Sequence, residues 1–130
     1  MRIVIVESPY AGDVGRNIRY ARAAVRDCLL RGEAPYASHL LYTQPGVLRD
    51  EDAGERERGI LAGFAFHGAG AAHVVYTDLG ISGGMQRAID AAHAAGRPVE
   101  VRALGPAWDA EHAAREVEWL GWRSRDWGCA

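Results

Sequence analysis

One stretch of the chain decides its fold, and it reads Val74-Val75-Tyr76-Thr77-Asp78-Leu79-Gly80-Ile81-Ser82-Gly83-Gly84-Met85. The β-branched and aromatic residues at 74–76 are typical of a buried strand. Apolar residues recur at helical spacing from Met85 onward, Ser82 stands at the N-cap position, and Gly96 ends the helix. The stretch therefore predicts a strand, a turn and a helix, and the amides at such a helix N-terminus suit an anion such as phosphate.

The turn in this stretch contains Gly80, Gly83 and Gly84, which can adopt backbone conformations that other residues resist. Helix capping by Ser82 explains part of the pattern. Three glycines exceed what a cap requires, and glycine also lets ligand atoms approach backbone N–H groups closely. Capping alone and anion binding are both open interpretations of these residues.

Strands and helices alternate on both sides of this stretch. The predicted strands cover residues 2–6, 34–41, 73–77 and 98–104, and the predicted helices cover 14–31, 52–67, 83–95 and 109–120. This alternation predicts a single α/β domain over residues 1–130, a three-layer sandwich around a parallel sheet of about four or five strands, flavodoxin-like or Rossmann-like. Ligands bind beyond the carboxyl ends of such strands. That rule selects the loops at 7–13, 38–44 and 78–85.

Composition narrows the classes of function. A net charge of −2 argues against a nucleic-acid-binding surface. The sequence contains Arg but no Lys, so a cationic side chain that binds an anion would be an Arg guanidinium. No apolar run could span a bilayer and the first residues lack the layout of a signal peptide, so we expect a cytoplasmic protein without membrane contact. Cys28 and Cys129 lack metal-ligand spacing, and we expect neither a metal nor a cofactor.

Two of the selected loops resemble the nucleoside 2-deoxyribosyltransferase superfamily, which includes nucleoside-monophosphate N-glycosidases. The turn Ser8-Pro9-Tyr10 is similar to that group's small-Pro-aromatic turn after its first strand. Asp78 and the run Ser82-Gly83-Gly84-Met85 are similar to its third-strand Asp and Gly-rich helix start.

The segments 8–13, 38–42 and 76–82 more closely resemble an uncharacterised bacterial and phage domain family placed near those transferases. The resemblance covers residues 2–104. It leaves outside a last helix and a tail, residues 105–130, that carries Trp119, Trp122 and Trp127.

The resemblance implies binding of a nucleoside or nucleotide, and one departure from it bears on catalysis. In the transferases a Glu on the helix after the Gly-rich turn attacks the anomeric carbon. Aligning Gly84 with the family glycine places Ala88 where that Glu belongs. Ala88 cannot act as a nucleophile, so any chemistry requires another carboxylate.

Glu7 and Asp78 follow predicted strands and are the candidate catalytic carboxylates, because an oxocarbenium-like sugar needs a carboxylate for stabilisation or to activate water. Asp78 as a turn cap and Glu7 as an acceptor of loop amides are equally open. His39 is a candidate to protonate a leaving base or bind phosphate, or is a structural histidine. The candidate ligand-binding residues share these loops or the start of the first helix, and are Ser8, Pro9, Tyr10, Asp13, Asn17, Ser82, Gly83, Gly84 and Met85.

Two functions follow from these expectations. The first is an enzyme that acts on the N-glycosidic bond of a nucleoside or nucleotide, by hydrolysis or deoxyribosyl transfer. The alternative is a module that binds a nucleotide without turnover, which Ala88 favours. The resemblance also implies a possible homodimer or higher homo-oligomer, since relatives often share sites across a subunit interface.

Overall fold

A computed structural model describes residues 1–126 and shows an α/β fold in which a four-stranded parallel sheet lies between helices. Trp127 and Cys129 lie outside the described residues. The strands are β1 (Ile3–Glu7), β2 (Ala34–Tyr36), β3 (Ala72–Tyr76) and β4 (Val99–Arg102). The helices are α1 (Val14–Leu30), α2 (Ser38–Leu41), α3 (Ala53–Ala65), α4 (Gly83–Ala94) and α5 (Trp108–Asp126), with a 3-10 turn at His67–Ala69.

The strands lie side by side in the order β2-β1-β3-β4, and every neighbouring pair is parallel. The chain leaves β1 toward β2 on one side, and returns to place β3 on the other side of β1. Loops after β1 and β3 therefore diverge, and leave a crevice at the carboxyl ends of these two strands. This is the arrangement of a three-layer flavodoxin-like or Rossmann-like sandwich, as predicted.

Strand alternation sends successive side chains to opposite layers. Val4, Val6 and Tyr76 point to the layer of α1 and α5, where they form the larger core with Tyr20 and Trp108. On the other face, Val75 packs against Met85 and Ile89 of α4. The 3-10 turn also covers this second face, where the ring of His67 lies edge-on against that of His73, with 4.6 Å between their centroids.

The largest difference from the predicted elements concerns residues 34–41. The structure ends β2 at Tyr36 and turns the chain into the short helix α2, so Ser38 and His39 lie on a helix rather than on a strand. Pro35 lies inside β2, and only three residues of this edge strand are paired with β1. The prediction of a strand over residues 34–41 is therefore wrong from residue 37 onward, because a short apolar run is compatible with either a strand or a helix. None of the described helices combines the length and apolar character needed to cross a membrane.

Candidate active site

A cavity of about 300 Å³ lies at the crevice between the carboxyl ends of β1 and β3. Its floor is formed by the end of β1, and one wall by α2 and the loop that follows. A face of α3, which packs against α2, forms the adjoining wall, and the first turn of α4 also lines the cavity. Segments far apart in the sequence thus meet at one edge of the sheet, where the topology places a ligand site.

The N-terminus of α4 presents backbone amides to this cavity. The Ser82 hydroxyl accepts a hydrogen bond from the Met85 amide at 3.3 Å, which confirms Ser82 as the N-cap. Gly83 and Gly84 occupy the first turn, whose amides have no acceptor within the helix. Gly83 and Gly84 are exposed, and an added Cβ at either glycine would meet nothing within 4 Å, so the space beside both residues is open.

The three glycines of this turn serve different purposes. Gly80 has a φ of +86°, a conformation that favours glycine. Gly83 and Gly84 have no such φ, because they already belong to the helix. Backbone conformation therefore explains Gly80 alone. Accessibility of the amides is the property that Gly83 and Gly84 add to this end of the cavity.

Glu7 is the carboxylate on the cavity floor, and it begins a chain of hydrogen bonds that runs across one face of the sheet through His73 to Arg97. Its Oε1 lies 3.0 Å from Nδ1 of the fully buried His73. Nε of Arg97 donates to Nε2 of the same ring at 3.1 Å, so Nδ1 carries the proton and donates to Glu7. Burial raises the pKa of Glu7, and the bond from His73 partly opposes that rise.

The side chains of Glu7, His67 and His73 are the group within residues 1–126 that could hold a metal ion. One ligand atom from each lies within 4.8 Å of the others. Their spacing in the sequence gave no sign of this proximity. Both ring nitrogens of His73 already have partners, and a metal at either nitrogen would break the bond to Glu7 or to Arg97. Burial, and next the nearby His73 and Arg97, lower the pKa of His67 to about 4.

Ser8 and His39 form a second polar pair at the cavity. Ser8 directly follows β1 and is 8 % exposed, and its Oγ lies 2.7 Å from Nε2 of His39 on α2. Burial lowers the pKa of His39 to about 4, so the imidazole is neutral near pH 7. A neutral imidazole has one N–H donor and one nitrogen that can accept a proton, and the role of His39 as an acid toward a leaving base stays a prediction.

Ala88 lines the cavity and is 3 % exposed. The alignment-based expectation therefore concerns a position that does face the site. Asp90, two residues further along α4, is exposed and bonds to Gln86, so it does not supply the missing carboxylate.

The predicted site residues divide into two groups. Those lining the cavity are Glu7, Ser8, Tyr10, His39, Ser82, Gly83, Gly84 and Met85. Those not lining it are Pro9, Asp13, Asn17 and Asp78. The second group shapes the surrounding turns, and each of its polar members has a hydrogen-bonding role elsewhere.

The structure does not bring Asp78 together with Glu7. The Asp78 carboxylate accepts hydrogen bonds from the Tyr20 hydroxyl at 2.5 Å and from the amides of Leu104 and Gly105 at 2.8 and 2.9 Å. Burial opposes ionisation, but these bonds together lower the pKa of Asp78. Asp78 thus joins β3 to the turn after β4, on the side of the sheet that faces α1 and α5.

Asn17 and Asp13 act on the loop after β1. The Asn17 amide donates to the carbonyl oxygens of Tyr10 and Ala11 at 2.8 and 3.1 Å, and Asp13 caps α1 through the Arg16 amide. Asn17 is therefore a positioning residue that fixes the backbone of Tyr10, which does line the cavity.

Residues of α3 and the preceding loop form the wall that sequence reasoning missed. Arg56, Ile60, Gly63 and His67 recur at helical spacing and all line the cavity. The apolar members of this pattern predict a face that packs in the core. Only the position of α3 over the crevice shows that this face borders a hollow. The other residues missed in this wall include Tyr42, Asp50, Glu55 and Phe64.

A family model described as a domain of unknown function, DUF7768, matches residues 2–102. The chain belongs to this family. The matched range agrees closely with residues 2–104, over which the sequence resembles an uncharacterised domain family. The description of the family model states no activity. A search of curated proteins found no match.

Every residue that lines the cavity lies within the DUF7768 segment, whereas α5 lies beyond its end. The family segment therefore contains the complete sheet and the whole of the candidate site. Trp108 of α5 nevertheless packs against Tyr20 of α1 at 4.9 Å between ring centroids, so α5 completes the core of that layer.

Proposed function

We propose that this chain binds a nucleoside or nucleotide in the cavity and breaks its N-glycosidic bond, with Glu7 as the reacting carboxylate. The observation that carries the proposal is the position of Glu7 on the floor of a cavity that also presents the open amides of α4. Those amides suit a phosphate or sugar oxygen. The resemblance to nucleoside 2-deoxyribosyltransferases supplies the substrate class.

In this proposal Glu7 takes the role of the Glu that the transferases carry at the position of Ala88. A carboxylate whose pKa is raised toward the working pH is a stronger general base, and burial raises the pKa of Glu7. Glu7 takes a proton from water as the water attacks the anomeric carbon, and the bond to the base breaks as the base leaves with its electron pair and takes a proton from solvent. The hydrogen bond from His73 holds the carboxylate in one orientation during this step.

Binding without turnover is the second candidate function, and Ala88 is the observation that favours it. The cavity has the α4 amides and the aromatic ring of Tyr10, which suit a phosphate and a base. At the α4 position where the transferases carry their nucleophile, however, this chain has Ala88, which is unreactive. A ligand would then be held intact.

Incubation with a panel of nucleoside and deoxynucleoside monophosphates tests both candidates. Chromatography measures free base, and thermal unfolding of the same samples measures binding. We expect the wild type to release base and Glu7→Gln to release at least about 100-fold less, since Gln still accepts from His73 but cannot take a proton.

Asp90→Asn is the matched control for this experiment, because Asp90 is an exposed carboxylate on α4 outside the cavity. It should leave base release unchanged. A rise in melting temperature with intact nucleotide would establish the binding module instead. No base release and no rise in melting temperature with any nucleotide would reject both candidates.

A further inference from the structure

Ser8 and His39 make a nucleophile–base pair that the proposed glycosidase chemistry does not use. The two residues are 31 positions apart in the sequence, and the 2.7 Å contact of Ser8 Oγ with His39 Nε2 exists only in the folded chain. Both line the same cavity, so the pair is accessible to a small molecule that enters it. A serine hydroxyl becomes nucleophilic when an adjacent base accepts its proton.

We propose that Ser8 is an activated nucleophile that takes an acyl group from a small carboxylic ester, with His39 as its general base. This activity goes beyond the proposed action on nucleotides and requires none of its residues to react.

The position of His39 is set by the packing of two helices. His39 lies on α2, and a Cβ at Gly63 of α3 would come within 2.9 Å of the Ser38 hydroxyl, so the absent side chain allows α2 to lie close to α3. The Thr43 hydroxyl donates to the carbonyl oxygen of His39 and holds the end of α2. His39 therefore keeps its ring toward the end of β1, where Ser8 lies. Burial lowers the pKa of His39 to about 4, so the ring is unprotonated at pH 7 but only weakly basic, and it is the 2.7 Å contact of Nε2 with Ser8 Oγ that supports the proton transfer.

The rest of the cavity suits the two other parts of an ester reaction. Gly83 and Gly84 are exposed and line the same cavity as Ser8, their amides have no acceptor within α4, and amides of this kind can stabilise the oxyanion of a tetrahedral intermediate. The side chains of Leu48, Ile60 and Phe64 line the cavity and suit an apolar acyl group. A volume of about 300 Å³ limits the substrate to a small ester.

The reaction consists of two balanced steps. Ser8 Oγ bonds to the carbonyl carbon while its proton passes to His39 Nε2, and the bond to the leaving alcohol breaks as that alcohol takes the proton from His39. Water then attacks the acyl-serine in the same way, gives its proton to His39, and releases the carboxylic acid as Ser8 recovers its proton.

An alkyl fluorophosphonate tests the pair directly, because Ser8 Oγ would bond to phosphorus as fluoride leaves with the proton. Mass spectrometry of the intact wild-type chain should show one adduct, and peptide mapping should place it on Ser8. Mapping uses the wild-type chain, so this result does not depend on any variant folding. No adduct under conditions that label a serine esterase, or an adduct on another residue, would overturn the proposal.

Three variants separate activation from mere accessibility. Ser8→Ala should show no adduct. His39→Gln can still hydrogen-bond to Ser8 but is a far weaker base, so labelling should slow at least about tenfold. Ser124→Ala removes an exposed serine on α5 that does not line the cavity, and should label at the wild-type rate. If His39→Gln folds, as judged by its thermal transition, and labels as fast as the wild type, His39 is not the base.

Discussion

Replacing Glu33 by Gln should remove about 3 kcal/mol of stability at neutral pH, and this loss should vanish in acid. Glu33 precedes β2 and is 5 % exposed, and its two oxygens accept from the two terminal nitrogens of Arg102 at 2.8 Å each. Arg2 adds a third contact at 2.9 Å. The bonds from Arg102 first, and from Arg2 next, lower the pKa of Glu33 from 4.5 to about 2 despite burial.

The magnitude follows from proton linkage. A fall in pKa from 4.5 to about 2 corresponds to about 3 kcal/mol, because each tenfold change in proton affinity is worth about 1.4 kcal/mol. The pKa of Glu33 is depressed in the folded chain, so its contribution is complete above the unfolded value of 4.5. It is lost as pH falls through about 2. Folded chains of this size lose about 4 °C in Tm for each kcal/mol, so Glu33→Gln should lower Tm by about 12 °C at pH 7.

Urea unfolding of the wild type and Glu33→Gln across pH 2–7 measures this effect. The difference in unfolding free energy should be constant from pH 7 to about 5 and then shrink toward zero near pH 2. Glu57→Gln is the matched control, because Glu57 also pairs with an arginine, Arg87, but both side chains are nearly half exposed. Its effect should stay below about 1 kcal/mol. A difference between wild type and Glu33→Gln that does not change with pH would refute the reasoning.

Three further substitutions test the site and its surroundings. Ala88→Glu places a carboxylate at the cavity position that the proposed resemblance aligns with the nucleophile of the transferases, and should raise base release from nucleoside monophosphates by about tenfold or more. Release no higher than that of the wild type, from a folded variant, would contradict the proposed alignment. Gly84→Val should weaken binding of a nucleoside monophosphate about tenfold in calorimetry. Its Tm should be unchanged, because the added Cβ meets nothing within 4 Å, and unchanged affinity would remove the anion site at α4. Asp78→Asn disturbs the bonds to Tyr20 and two amides, and should lower Tm by about 4–8 °C, a small cost since Asp78 is exposed; a Tm within about 2 °C of the wild type would show that this brace contributes little.

The sequence by itself determined the order and class of the elements around the central stretch. Strand and helix periodicity at 74–95 predicted β3 and α4, and Ser82 marked the helix start correctly, because capping is a local interaction. The same local signals placed the start of α1 after Asp13 and of α3 after Asp52. Alternation of such units allows few topologies, so a parallel sheet with a site at its carboxyl edge followed from pattern alone.

Only the tertiary structure decided which polar groups share that edge. Glu7 and Asp78 both lie at strand ends, yet Asp78 bonds toward the α1 and α5 layer, because it lies two residues after Tyr76 and shares that face, whereas Glu7 alternates with Val6 to the other face. Glu7 instead meets His73, and Ser8 meets His39, at separations of 66 and 31 residues. Such contacts depend on how layers stack over the crevice, and periodicity carries no information about distances between segments. The packing of the layers therefore decides which polar side chains meet in the cavity, whereas the order of strands and helices along the chain decides where the cavity lies.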